Sequence, residues 1–117
     1  MKVCFPVERC NGMGSIVHRS LSLAPCYLVV DSETNETMPL LRNDPKIVRR
    51  GNNFIALLKE HMVEAFAVGS INAMTLSMYS RSGIKVYQYQ HESVKDNVES
   101  LRRRELPELV LYDKRRR

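Results

Sequence analysis

Hydrophobic positions along this chain change their period partway. Val3, Phe5 and Val7 alternate with Lys2, Cys4 and Pro6, a period of two that predicts a strand. Cys4 and Pro6 are not strongly polar, so both faces are expected to be covered, as in a central strand of a layered α/β fold. The run CYLVVD, Cys26 to Asp31, is apolar and β-branched and predicts a second strand. SETNE after it is turn chemistry, and TMPLLR, Thr37 to Arg42, reads as a return strand. The two make a hairpin in which Pro39 favours an edge position.

Beyond this hairpin the spacing becomes helical. Phe54, Leu57, Leu58, His61 and Met62 fall on one helical face, with Asn52 or Asn53 available as a cap. EAFAVG, Glu64 to Gly69, is a short buried strand. Ser70 is the expected cap of a helix in which Ile71, Met74 and Met78 share a face, closed by Gly83 as a left-handed terminator. On this reading Met62, Met74 and Met78 are core residues. IKVYQY is the last strand. Ser93 with Asp96 resembles a capping box before a helix carrying Val94, Val98 and Leu101.

The order β-β-β-α-β-α-β-α combines a hairpin with strands separated by helices. That predicts an α/β fold of three layers around a five-stranded mixed sheet.

Composition adds bounds. At 117 residues, 44% hydrophobic and 26% charged, the chain suits one globular domain. No apolar run is long enough to cross a bilayer, and Pro6, Glu8 and Arg9 break the N-terminal run too early for a secretory signal. A cytoplasmic protein without membrane contact is expected, and its three cysteines are then expected as reduced thiols. Of the net charge of +5, +4 lies from Arg102 onward, where seven basic residues meet three acidic ones. A nearly neutral body with a basic tail reads as a domain over residues 1–106 and an appendage over 107–117.

Element order and motifs together resemble the dinitrogenase iron–molybdenum cofactor biosynthesis family, which includes NifX-type carriers and the C-terminal domain of NifB-type proteins. The likeness spans residues 1–106. It is carried by the opening MKVCFPV, by APCYLVVD after the first loop, by the Gly51 loop, and by VGSINAM followed by SGIKVY. The resemblance implies a ribonuclease-H-like fold. It also implies a protein with no enzymatic activity that carries an iron–sulfur or molybdenum–iron–sulfur cluster between a cluster donor and an acceptor protein. Where many members have His-Phe-Gly before Ala-Pro, this chain has Ser20, Leu21 and Ser22. That departure motivates a second reading, an interaction or regulatory module of the same fold that has lost its cluster.

Candidate chemistry follows from this setting. A ribonuclease-H-type nuclease needs carboxylates converging on divalent metal, one of them on the first strand, and KVCFPV carries none. Soft ligands are present instead. Cys10, His18 and Cys26 flank the first connection, and thiolate and imidazole suit iron and iron–sulfur centres. Gly51, Asn52 and Ser70 stand at helix starts, where free N–H groups favour an anionic cluster. The plain alternatives are a core role for Cys4, packing for Cys26, a solvated His18 and simple capping at Asn52. Cys10, in a polar turn, is the thiol expected to react before Cys4. Nucleic-acid binding through the basic tail is a weaker third reading, since the tyrosines form no stacking platform.

Overall fold

The computed structural model describes residues 1–21, 23–41 and 54–111. Its elements are β1 (Lys2–Val7), β2 (Cys26–Asp31), β3 (Thr37–Leu41), α1 (Phe54–Glu60), β4 (Ala65–Val68), α2 (Ala73–Arg81), β5 (Lys85–Gln88) and α3 (Val94–Arg102). The strands form one mixed sheet in the order β3-β2-β1-β4-β5. β1 runs antiparallel to β2 from Lys2↔Asp31 to Val7↔Cys26, and β2 antiparallel to β3. β1, β4 and β5 are parallel, so their carboxyl ends share one edge.

The sheet is covered on both faces, which makes the three layers expected of a ribonuclease-H-like fold. On one face Cys4, Tyr27, Val29, Phe66, Val68 and Val86 pack against Leu57 and Leu58 of α1 and Leu76 and Tyr79 of α2. On the other, Val3, Phe5, Val7, Leu28 and Val30 meet Val94 and Val98 of α3. Central β1 therefore has buried residues on both faces, as its weakly polar alternation predicts. Phe5 and Phe66 have no exposed surface, and burying such a side chain contributes about 1.5–3 kcal/mol. Phe66 also stacks on Tyr79 with ring centroids 5.5 Å apart.

The helices correct two expectations. Asn72, not Ser70, caps α2: its Oδ1 accepts from the Thr75 N–H at 2.8 Å. Met74 and Met78 are exposed, and α2 turns Leu76 and Tyr79 to the core instead. Ile71 lies before the helix, and the face that packs on Phe66 and Val86 of the sheet is the one carrying Leu76 and Tyr79. Met62 is exposed as well, because α1 stops at Glu60 and Met62 takes a left-handed conformation with φ 60°. Gly83 does close α2 with φ 81°, and Ser93 Oγ accepts from the Asp96 N–H as its spacing implied.

Residues past the expected boundary at 106 continue along β5. The Gln88 N–H donates to Pro107 O at 2.8 Å and the Leu109 N–H to Val86 O at 2.7 Å, while Leu109 packs on the core. Residues 112–117 of the basic segment lie outside the described residues. Among the described residues no helix is long and apolar enough to cross a membrane.

Candidate functional site

Ligands of open α/β sheets bind beyond the carboxyl ends of parallel strands, where neighbouring connections diverge. Here that point lies between β1 and β4, whose pairing covers only Val3↔Ala65 and Cys4↔Phe66. Pro6 sits past the last of these pairs, so its missing N–H breaks no ladder bond toward β4. The connection from β1 to β2 returns into the gap. Val17 bridges Val7 antiparallel, the Glu8 N–H donates to Ile16 O at 2.9 Å, and the His18 N–H donates to Pro6 O at 2.7 Å.

Tyr89, just past β5, ties this inserted segment down. Its hydroxyl donates to His18 O at 3.2 Å, and its ring passes so close to Gly69 that a Cβ there would lie 2.5 Å from the phenolic oxygen. Glycine after β4 is thus a requirement of close approach, not only of a turn.

Two helices of nine residues begin at this edge, and their amino termini differ. At α3 the Val94 and Lys95 N–H groups donate to Ser15 O and Met13 O, so the β1–β2 connection consumes them. At α2 the Ala73 and Met74 N–H groups have no partner among the described residues. Next to this helix start is a groove of about 650 Å³ lined by Arg19, Ser20, Ser70, Asn72 and Thr75 together with apolar Leu21 and Ile71. Arg19 is exposed and has no acidic partner among the described residues. Free amides at the positive end of a helix, an arginine and hydroxyls that can turn their protons toward a ligand supply donors and no negative charge, which suits a polyanion.

Of the sequence-predicted residues, Ser70 lies in this groove, while Gly51 and Asn52 lie outside the described residues. Cys10 and Cys26 are brought together as a disulfide, overturning the expectation that all three cysteines are separate thiols. Their pairing follows from the Val7↔Cys26 register, which returns the chain beside the residues leaving β1. Cys4 is wholly buried on the opposite face, and burial pushes its thiol far up.

His18 does not join the pair. Its Nδ1 lies against the Ser20 backbone, 2.9 Å from the N and 3.2 Å from the O, and its Nε2 faces Glu8 Oε2 at 3.7 Å. Among the described residues no group of three or more His, Cys, Asp or Glu side chains converges as a metal site.

Arg19, Asn72 and Tyr89 were not singled out from sequence. An Asn-Ala-Met-Thr run is a legitimate capping signal, but Ser70 carries one as well. Tyr89 has no local signal, because its role depends on a strand neighbour twenty residues away.

No protein-family model and no curated protein matches the sequence. Solved structures do. The apo form of the orange protein from Desulfovibrio gigas superposes with a TM-score of 0.78 at 18% identity, covering 97% of this chain and 96% of that one. A NifB-like protein from Thermotoga gives 0.70 at 18%, covering 97% of each chain. A dinitrogenase-like protein from Methanocaldococcus jannaschii gives 0.67 at 20%, covering 93% of this chain and 94% of that one. Identities this low establish a shared fold along nearly the whole chain, one that includes nitrogenase-associated names.

Proposed function

We propose that this protein binds and hands on an anionic iron–sulfur or molybdenum–iron–sulfur cluster, as cargo, during cofactor assembly. The observation that carries the reading is the free α2 amino terminus beside Arg19, Ser70 and Thr75 at the carboxyl edge. The nitrogenase-associated names among its fold neighbours add support. Cargo would be held from outside, through N–H, hydroxyl and guanidinium donors to cluster sulfides, with no catalytic step by the protein. Such binding is reversible by design, because no protein thiolate must be displaced when the cluster passes to an acceptor protein.

The absence of a converging soft-ligand group among the described residues also supports a second reading, an interaction module of this fold without a cluster. Anaerobic incubation with iron and sulfide, followed by gel filtration, separates the two. Cluster absorption should travel with the wild type and with a Cys10→Ser/Cys26→Ser variant, and fall about tenfold or more with Arg19→Glu/Ser70→Asp. Visible absorption that never stays with the wild-type protein leaves only the module reading. Retention undiminished in the Arg19→Glu/Ser70→Asp variant would remove the groove from the argument.

A further inference from the structure

Cys10 and Cys26 bracket the connection from β1 to β2, with Cα atoms 6.2 Å apart across a sequence separation of 16. They are unequal. Cys10 is half-buried, whereas Cys26, the first residue of β2, is 3% exposed. Cys4 faces the other side of the sheet with no exposed surface, so it can neither reach the pair nor compete with it. Both sulfurs of the pair lie against Tyr27 O, at 3.5 Å and 3.7 Å. A reduced pair therefore finds a hydrogen-bond acceptor already in place, and reduction leaves neither Cys10 nor Cys26 without a partner.

We propose that Cys10 and Cys26 are a reversible dithiol–disulfide exchange site, with Cys10 the sulfur attacked from solvent, whose state sets how firmly the β1–β2 connection is held at the carboxyl edge. With glutathione as the reductant, its thiolate attacks Cys10 Sγ. The protein S–S bond breaks and its electron pair leaves on Cys26 Sγ, which takes a proton from water. A second glutathione thiolate then attacks the glutathione sulfur of the mixed disulfide, releasing the Cys10 thiolate and glutathione disulfide. Two glutathiones are oxidised and one protein disulfide becomes two thiols. Oxidation by glutathione disulfide runs the same steps in reverse, with Cys26 resolving the mixed disulfide on Cys10.

Reduction loosens this connection without releasing it. Segment 15–18 keeps its bonds to β1 and α3, and the turns at Asn11–Gly14 and Gly12–Ser15 beside Cys10 are each closed by one backbone bond. These are backed by the Asn11 N–H on Ser15 Oγ at 2.7 Å and the Lys95 N–H on Met13 O, so with the disulfide gone the turns rest on single hydrogen bonds. The same connection supplies Arg19 and Ser20 to the groove. The exchange site does not depend on what that groove binds.

The test equilibrates the full chain in glutathione buffers of varied ratio, then quenches, alkylates and maps the cysteines by mass spectrometry. Cys10 and Cys26 should be labelled together across one two-electron transition, and Cys4 only after denaturation. Cys26→Ser should collect glutathione on Cys10 about tenfold faster than Cys10→Ser collects it on Cys26. If either variant folds poorly, trapping the wild type early in oxidation locates the mixed disulfide directly. Amide exchange at Gly14 and Ser15 should quicken about tenfold on reduction. A mixed disulfide that forms first on Cys26 overturns the proposal, as does a pair that stays reduced in excess glutathione disulfide. So do Gly14 and Ser15 exchange rates that are the same in both states.

Discussion

The Tyr89 phenol lies across Gly69, where a single added carbon would meet its oxygen at 2.5 Å, and from there donates to the carbonyl of His18. One glycine thereby lets a side chain beyond β5 hold the segment that fills the gap beside β1. Gly69→Ala should displace the Tyr89 ring and destabilise the protein by about 1–3 kcal/mol, as overpacking does. Tyr89→Ala removes the obstacle, so the double variant should be no less stable than Tyr89→Ala alone. Urea unfolding of all four proteins checks this. Additive losses would show that Gly69 matters for another reason.

The packed face of α2 makes a second prediction. Leu76 is 7% exposed and Met74 is 76% exposed. Leu76→Ala should cost about 2–5 kcal/mol, while Met74→Lys should stay within about 0.5 kcal/mol of the wild type. Thermal unfolding of the two variants measures the contrast. Equal losses would restore the methionine face that helical spacing suggested.

Both results bear on what the sequence could disclose. The period-two run at Val3, Phe5 and Val7 identified a central strand, because alternation survives any tertiary setting that covers both faces. Gly83 and Ser93 were legible for the same reason: a left-handed residue and a cap are set by the backbone beside them. The α2 stripe was not, since Ile71, Met74 and Met78 and the pair Leu76 and Tyr79 both satisfy helical spacing. Which of them is buried depends on how the helix docks on β4 and β5, a tertiary fact that spacing along the helix does not carry. The Cys10–Cys26 bond was hidden more deeply. It depends on the β1–β2 register, and a spacing of sixteen residues does not encode that.

Alkaline stability should depend on Tyr79. Burial, then the neighbouring Cys4 and Tyr27, hold its phenol well above the usual range. A group whose folded pKa is raised contributes stability that is whole below its unfolded value, about 10, and is lost as pH rises beyond it. Tyr79→Phe cannot ionise, so its unfolding midpoint should fall less than that of the wild type above about pH 10. Denaturant midpoints across the alkaline range measure this. Parallel curves would mean that Tyr79 ionises as freely in the folded chain as in the unfolded one.

Asn97 carries the last prediction. It has no exposed surface, and its amide is fully used. Oδ1 accepts from the Gln90 and His91 N–H groups at 2.9 and 3.1 Å, and Nδ2 donates to His91 O and Ser93 O, both at 2.8 Å. It thus holds the turn from β5 into α3, the same turn whose Glu92 O accepts from the Val17 N–H. Asn97→Ala would strand the Gln90 and His91 N–H groups and the His91 carbonyl, while Ser93 O keeps the backbone N–H of residue 97, and should cost about 2–3 kcal/mol. Asn97→Asp keeps the acceptor for both amides but sets a carboxylate oxygen against two carbonyls. Burial and that repulsion should raise the new carboxyl's folded pKa above its unfolded value of about 3.9. The aspartate form should therefore be strongly destabilised at neutral pH and recover toward the wild type as pH falls through its folded pKa, where a protonated oxygen can donate to one carbonyl. The alanine form has no such group, so its gap to the wild type should stay constant with pH. Urea midpoints of the three proteins near neutrality and about pH 4 distinguish the cases. An aspartate gap that does not narrow in acid would mean that the carbonyls are not what Asn97 is there to satisfy.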